Sequence, residues 1–143
     1  MKTKLNFNQI ILNLLSIVFF LAASSNLTAQ EKKTIDLKDF KIIVEKTDNG
    51  IKMKSVEGIA WIDLSFNLEN DQTQAVDEYG MTEVNKVSSK KDSNLADFLF
   101  TITKTYNGIK LKGIEGTAWL DLSFSLTKNK KQAFDQYGMT VLN

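Results

Sequence analysis

The sequence predicts an all-β protein: a tandem duplication of a four-stranded antiparallel meander, packed as a sandwich or a closed barrel. The main observation is an internal repeat, since residues 39–85 and 97–143 align without a gap at an offset of 58, with 26 of 47 positions identical. Each copy also contains an Asn-Gly pair, which is a hairpin signal, and one segment of strict apolar–polar alternation. The 143 residues include no proline to interrupt a strand ladder.

Residues 1–29 are typical of a signal peptide. Two lysines precede an apolar run over residues 10–23, which is shorter than the roughly 20 residues that span a bilayer. We expect cleavage after Ala29, with Ala22-x-Ser24 as an alternative site and an uncleaved membrane anchor as the competing interpretation. The mature protein is therefore expected to be secreted or periplasmic and, after cleavage, free of the membrane.

The rest of the chain is expected to form one joint domain over residues 39–143. Residues 30–38 are an N-terminal segment, and residues 86–96 are a polar linker between repeat 1 (39–85) and repeat 2 (97–143). A single 47-residue repeat has a poor ratio of volume to surface. Two repeats on a shared core are therefore favoured over two independent domains. The chain has no cysteine, so it must be stable in an oxidising compartment without disulfides.

The first two strands of each repeat are predicted to form a hairpin around the Asn-Gly pair. A type I′ turn at Asn49-Gly50 would pair Lys46 with Met53 and would place apolar side chains on one face of the hairpin. The same turn is expected at Asn107-Gly108. The register that this turn imposes keeps the polar side chains together on the opposite face.

The third strand shows the strictest alternation in the chain. Apolar residues at 60, 62, 64, 66 and 68 are predicted to face the core, and Trp61, Asp63 and Ser65 to share the polar face. Repeat 2 has the same pattern over residues 118–126. The motif Gln-Ala-x-Asp-x-Tyr-Gly-Met that follows predicts a fourth strand, with a short helix over residues 75–79 as the alternative.

Charge differs between the copies. Repeat 1 has ten acidic residues and four lysines, whereas repeat 2 has four acidic residues and six lysines. The opposite net charges either help the two halves to dock, or they belong to two solvated surfaces that diverged after the duplication. The chain contains no arginine, and this argues against nucleic-acid recognition.

The composition also argues against an enzyme. The chain has no histidine and no cysteine, which removes the usual general base, thiol nucleophile and transition-metal ligands. A carboxylate hydrolase using Asp63 with Asp77, or Asp121 with Asp135, remains a weak hypothesis. Acidic turns at residues 48–49 and 69–71 are interpreted as solvated loops rather than calcium sites, and we predict no metal and no cofactor.

A candidate binding surface follows from the repeated Trp-x-Asp-x-Ser pattern. An indole beside carboxylate and hydroxyl groups on one sheet face would form a platform for a sugar ring or a partner side chain. The tyrosines would extend it if the fourth strand paired with the third. The competing interpretations are that both tryptophans pack in the core, or that they form a self-association surface. The predicted binding residues are Trp61, Asp63, Ser65, Tyr79, Trp119, Asp121, Ser123 and Tyr137.

The combination of Ala-Trp-x-Asp-Leu-Ser-Phe with Gln-Ala-x-Asp-x-Tyr-Gly-Met resembles uncharacterised small secreted two-repeat proteins of Bacteroidota-type bacteria. The resemblance covers both repeats and implies export, but it carries over no ligand, catalytic residue or partner. We therefore expect an exported, non-enzymatic protein that binds an extracytoplasmic protein or glycan. The alternative is a structural or inhibitor-type protein that acts on one macromolecular partner through a sheet edge or its charge asymmetry. The sequence indicates no oligomeric state.

Overall fold

The computed structural model describes residues 36–86 and 91–143, which form ten strands and, within these ranges, no helix. The all-β prediction is confirmed. The predicted signal peptide, residues 30–35 of the N-terminal segment and residues 87–90 of the linker lie outside the described residues. Residues 36–143 form one compact unit. The described part of the chain offers no helical segment with the length and hydrophobicity needed to cross a bilayer.

Each repeat supplies five strands. Repeat 1 contributes β1 (Lys41–Lys46), β2 (Gly50–Glu57), β3 (Asp63–Asn67), β4 (Thr73–Asp77) and β5 (Gly80–Thr82). Repeat 2 contributes β6 (Leu99–Lys104), β7 (Gly108–Glu115), β8 (Asp121–Ser125), β9 (Lys131–Asp135) and β10 (Gly138–Thr140). The corresponding strands have the same lengths in the two repeats, as the sequence identity predicts.

The strands form two five-stranded sheets in which the repeats exchange their last hairpins. The first sheet has the order β10-β9-β1-β2-β3 and the second β5-β4-β6-β7-β8, and every neighbouring pair is antiparallel. Of the two predicted architectures, this is the sandwich. The predicted four-stranded meander is wrong in one respect, because only the first three strands of each repeat form a meander, and β4 pairs with β6 of the other repeat.

The loop between β3 and β4 explains the crossing. Its residue Asp71 adopts the left-handed conformation, with a φ of 65°, and its N–H donates to the Lys104 carbonyl at the end of β6. Asn129 has a φ of 60° and donates to the Lys46 carbonyl in the same way. The chain is thus attached to the opposite sheet before β4 or β9 begins.

The predicted fourth strand is a hairpin of two short strands, and the helical alternative over residues 75–79 is also wrong. The Asp77 carboxylate accepts the N–H groups of Tyr79, at 2.8 Å, and Gly80, at 3.0 Å, which closes a tight turn after β4. Gly80 has a φ of 132°, which side chains disfavour. The Asp-x-Tyr-Gly motif therefore encodes the turn.

The first hairpin also differs from its predicted register. Lys46 pairs with Ile51, two positions from the predicted Met53, because the turn is centred one residue earlier, on Asp48-Asn49, and the Thr47 N–H donates to the Gly50 carbonyl at 3.0 Å. Gly50 does not adopt a positive φ. It is required because a Cβ there would lie 2.0 Å from the Phe66 carbonyl oxygen of β3. A shift of two positions keeps every side chain on its predicted face, so the apolar side of the hairpin still faces inward.

The core lies between the sheets and joins the two repeats. The rings of Phe40 and Phe98, which are equivalent positions, have centroids 4.5 Å apart, and Phe134 packs edge-on to Phe40 and Phe100.

Ion pairs also connect the two repeats at the surface. Exposed ion pairs join repeat 2 to repeat 1 at Lys128–Asp48 and Lys131–Glu45, although pairs of this kind contribute little to stability.

Candidate binding surface

Both tryptophans turn inward and connect the two sheets. Trp119 is 8 % exposed, and its Nε1–H donates to the Asp135 carbonyl at 2.9 Å. Trp61 is half-buried against the core and donates to the Asp77 carbonyl at 3.1 Å. Each indole therefore lies across the sandwich, from the loop before the third strand of one sheet to the last hairpin of the other.

The assignment of the tryptophans to the polar strand face is therefore wrong, and the competing interpretation, packing in the core, describes both: Trp119 is a core residue and Trp61 packs against the core. Because β3 begins only at Asp63, the period-two alternation does not extend back through residues 60–62. Trp61 points into the space between the sheets, and Ile62, which was assigned to the core, is 72 % exposed. Its equivalent Leu120 is 76 % exposed. Filling the end of the sandwich with the larger indole buries more apolar area than an Ile or Leu would.

The loop that carries each tryptophan is held in place by backbone bonds. The Ala60 N–H donates to the Glu78 carbonyl at 2.9 Å, which joins the β2–β3 loop to the β4–β5 turn. Gly58 has a φ of 74°, and a Cβ there would lie 2.2 Å from the Asp39 carbonyl oxygen. In repeat 2 the Ala118 N–H donates to the Gln136 carbonyl at 2.8 Å. The loop and the turn form one unit in each half.

The predicted carboxylates and hydroxyls lie elsewhere, on the outer faces of the sheets. Asp63 and Ser65 are exposed on β3 and pair across the strand with Lys54 and Lys52. Asp121 and Ser123 occupy the same places on β8, opposite Lys112 and Lys110. On the first sheet this face contains a shallow cavity of about 430 Å³. These faces are polar and do not include the indoles.

The tyrosines are exposed at the tips of the two turns, Tyr79 between β4 and β5 and Tyr137 between β9 and β10. They cannot extend a β3 platform in the predicted way, because β4 lies in the opposite sheet to β3. The eight predicted residues thus occupy three places: the tryptophans between the sheets, the Asp and Ser residues on the outer faces, and the tyrosines on the turns.

The structure indicates a different surface, formed twice. The first loop pair consists of residues 58–62 and 77–80, and the second of residues 116–120 and 135–138. Each loop pair has an exposed aliphatic residue and an exposed tyrosine, held in place by an inward tryptophan. Sequence reasoning missed Ile62 and Leu120 because it continued the alternation of β3 and β8 through them. Their signal was that both copies keep a large aliphatic residue beside the tryptophan.

One further side chain beneath the first loop pair was missed. Glu78 is 3 % exposed, and among the described residues it is the one buried carboxyl group. Burial is the largest cause that raises its pKa, followed by the negative charges of Asp77 and Asp97, while hydrogen bonds from backbone N–H groups oppose the rise. Its equivalent in repeat 2 is the neutral residue Gln136.

Two buried lysines join the repeats at the opposite end of the sandwich. Lys46 Nζ donates to the carbonyls of Thr105 and Tyr106, each at 2.6 Å, and Lys104 Nζ donates to the Asp48 carbonyl at 2.7 Å. Burial lowers the pKa of Lys46, and the positive charge of Lys104 lowers it further. Because both ammonium groups are committed to turn carbonyls, we assign them to the structure rather than to a ligand.

The carboxylate pairs of the hydrolase hypothesis are separated between the two sheets. The Asp77 and Asp135 carboxylates, which the hydrolase hypothesis requires, accept turn N–H groups, and their proposed partners Asp63 and Asp121 lie on the outer face of the opposite sheet in each case. No cluster of three acidic side chains in the described ranges is arranged to hold a metal ion. Comparison of the chain with protein-family models, curated proteins and solved structures gives no match.

Proposed function

We propose that this protein is an exported, non-enzymatic binding protein that engages an extracytoplasmic protein through its two loop pairs. The observation that carries the proposal is the exposure of Ile62 and Leu120 at equivalent positions, each in a loop pair that also has an exposed tyrosine. Isolated exposed apolar residues are common on protein surfaces. Of the exposed apolar positions that the two repeats share in the described residues, Ile62 and Leu120 are the most exposed, at 72 % and 76 %, and each lies in a loop that backbone hydrogen bonds hold in place.

The chemistry of the loop pairs favours a protein over a glycan. Sugar rings stack on flat aromatic faces, and the two indoles that could provide such faces are turned into the sandwich. An exposed aliphatic side chain on the same loop pair as an exposed tyrosine ring is instead suited to an apolar side chain of another protein. A glycan is therefore the second outcome to test.

The two loop pairs would act together on a partner with two copies of the target. Binding at the second pair then becomes intramolecular and adds avidity without new contacts. The rival mode, addition of a strand to a sheet edge, has less support. Of the four edge strands, β3 and β8 are five residues long and expose Asp and Ser side chains, and β5 and β10 are only three residues long. Polar side chains and short length are features that discourage edge pairing.

The test is a titration of the mature protein with a panel of cell-envelope proteins and glycans. Binding is measured by the change in the intrinsic fluorescence of the protein. Ile62→Ser and Leu120→Ser, singly and together, remove the exposed aliphatic groups. Ser65→Ala with Ser123→Ala is the matched control on the outer faces. Burying one aliphatic side chain in a partner is worth about 1.5–3 kcal/mol, so each single variant should weaken binding by roughly 10- to 100-fold.

The outcomes separate the hypotheses. Loss of binding in the Ile62→Ser, Leu120→Ser double variant, with the serine control unchanged, would support the loop pairs. A ligand that binds the double variant as tightly as it binds the wild type would refute them. Saturable binding of a glycan alone, lost in the serine control, would instead place the site on the polar sheet faces.

A further inference from the structure

The turn of the first loop pair differs from the second at a single position. Residues 77–81 and 135–139 read Asp-x-Tyr-Gly-Met in both copies, and x is Glu78 in the first and Gln136 in the second. Both side chains are buried. A buried exchange of a carboxyl for an amide changes the hydrogen-bonding capacity of the site, because the amide always has N–H donors and the carboxyl has a donor only when it is protonated.

The second half shows what the site requires. The Gln136 Oε1 accepts the Phe40 N–H at 3.0 Å, and the Gln136 Nε2 donates to Asp39 Oδ1 at 2.7 Å. The amide thus satisfies a backbone donor and a carboxylate together. It joins the β9–β10 turn to the segment that enters β1, and the amide supplies its donor without a proton that it could lose.

The first half has the equivalent residues but lacks the amide donor. The backbone of Phe98, the residue equivalent to Phe40, favours the charged form of Glu78 and so opposes the rise in its pKa. Asp97, the equivalent of Asp39, lines the same cavity as Glu78, and its negative charge acts on Glu78. Glu78 can donate to a carboxylate only through its own proton. Without that proton, two carboxylates share one cavity and one of them is buried.

The charged groups around Glu78 come from several elements. The β4–β5 turn supplies Asp77, the segment after β5 supplies Lys86, the segment before β6 supplies Lys91 and Asp97, and β7 supplies Glu115; together they line a cavity of about 280 Å³. Lys91 is exposed and forms ion pairs with Asp97 and Glu115. The β2–β3 loop packed against the turn has no charged residue over residues 58–62. The ammonium group of Lys91 thus partly neutralises the Asp97 carboxylate from the solvent side. Glu78 is the buried carboxyl group of the same cavity.

We propose that Glu78 and Asp97 form a proton-dependent latch between the β4–β5 turn and the segment that leads into β6. With a proton on Glu78 the latch has the donor that Gln136 always has, and the turn is fastened. When Glu78 loses the proton, the buried charge and its repulsion by Asp97 and Asp77 weaken this connection. The equivalent connection in the second half contains an amide and does not respond in this way.

The direction of the pH effect follows from the raised pKa of Glu78. A carboxyl group that holds its proton more tightly in the folded state stabilises that state most in acid. The contribution is lost as the pH rises from the ordinary glutamate value through the raised pKa of the folded state. The latch is therefore closed in acid and weakened toward neutral pH. The Ala60–Glu78 and Ala96–Gly58 backbone bonds carry this change to the first loop pair.

The test is hydrogen exchange of the backbone amides of Ala60, Ala96 and Phe98 in the full mature chain, measured from about pH 4 to about pH 8 and corrected for intrinsic rates. In the wild type we expect their protection to fall with rising pH, by about tenfold for each unit by which the pKa of Glu78 exceeds its ordinary value. Glu78→Gln should make the profile flat. Gln136→Glu should introduce the same fall at Phe40 and Ala118.

Asp97→Asn provides a second route that does not alter Glu78. It removes the repulsion, and it should reduce the pH dependence while leaving the fold intact. A wild-type profile that persists in Glu78→Gln would overturn the latch, as would protection at Phe98 that rises toward neutral pH. These readouts use no binding partner, so their failure would leave the proposed function of the loop pairs untouched.

Discussion

The inward orientation of the tryptophans makes a quantitative prediction about stability. Replacing a buried tryptophan with alanine costs about 3–5 kcal/mol. Trp119 meets the conditions for the upper part of this range, because it is 8 % exposed and packs against Phe100 and Phe134 with ring centroids 6.1 and 6.2 Å away. Trp61 lies at the edge of the core and is less completely buried, so Trp61→Ala should cost less, toward the lower end of this range, in proportion to the smaller apolar area lost.

The hydrogen bonds of the indoles are tested separately by Trp119→Phe and Trp61→Phe. Each substitution keeps a large ring but removes the Nε1–H donor to the carbonyl of Asp135 or Asp77. The net loss for one such bond is about 1 kcal/mol. Similar losses in the two phenylalanine variants, with unequal losses in the two alanine variants, would separate the contribution of hydrogen bonding from that of packing.

The assay is urea unfolding followed by far-ultraviolet circular dichroism, because removing either tryptophan changes the fluorescence itself. If both tryptophans were platforms exposed on sheet faces, each alanine variant would change the free energy of unfolding by less than about 0.5 kcal/mol. That result for Trp119→Ala, or a larger loss for Trp61→Ala than for Trp119→Ala, would refute the orientation described above.

Three further predictions concern a buried lysine between the repeats, the close approach of β2 to β3, and the core that the repeats share. Lys46→Met should lower the unfolding free energy by about 1–3 kcal/mol, since two turn carbonyls lose their donor, whereas Lys52→Met on the exposed face should change it by less than about 0.5 kcal/mol. Gly50→Ala should cost about 1–3 kcal/mol in the same measurement because its Cβ would meet a β3 carbonyl oxygen. Ile42→Ala in repeat 1 should lower the unfolding midpoint reported by Trp119 fluorescence in repeat 2, and two separate transitions would contradict the shared core.

The sequence predicted the strands well because their signals are local. Period-two alternation identified β3 and β8, and the aligned repeats showed that both halves share one set of elements. The pairing of β4 with β6 could not be predicted, because it depends on contacts between residues about thirty positions apart, such as Thr73 with Thr103. No spacing within one repeat distinguishes a strand that continues its own meander from one that crosses to the other sheet.

The candidate site was predicted less well, and the reason is physical. Alternation indicates the face of a residue only where the backbone is a strand. The strand β3 begins at Asp63, two residues after Trp61, so Trp61 lies outside it. Beyond that point the larger side chain takes the space between the sheets, and Ile62 is displaced outward. The Asn-Gly pair gave a wrong turn prediction, because Gly50 is needed for a close approach between strands and not for a positive φ.

The exchange of hairpins changes what a difference between the copies means. Because each sheet contains strands of both repeats, and each buried lysine donates to the turn of the other repeat, neither copy can change its fold independently. Equivalent core positions have nevertheless diverged while keeping an apolar side chain in both copies, as in Ile42 with Phe100 and Val76 with Phe134. Glu78 opposite Gln136 is a divergence inside the buried layer, where a carboxyl group is costly unless it is protonated or paired. A buried carboxyl group destabilises the first half, whereas the second half has a neutral amide at the same position. A role for the proton of Glu78 explains this difference better than drift does.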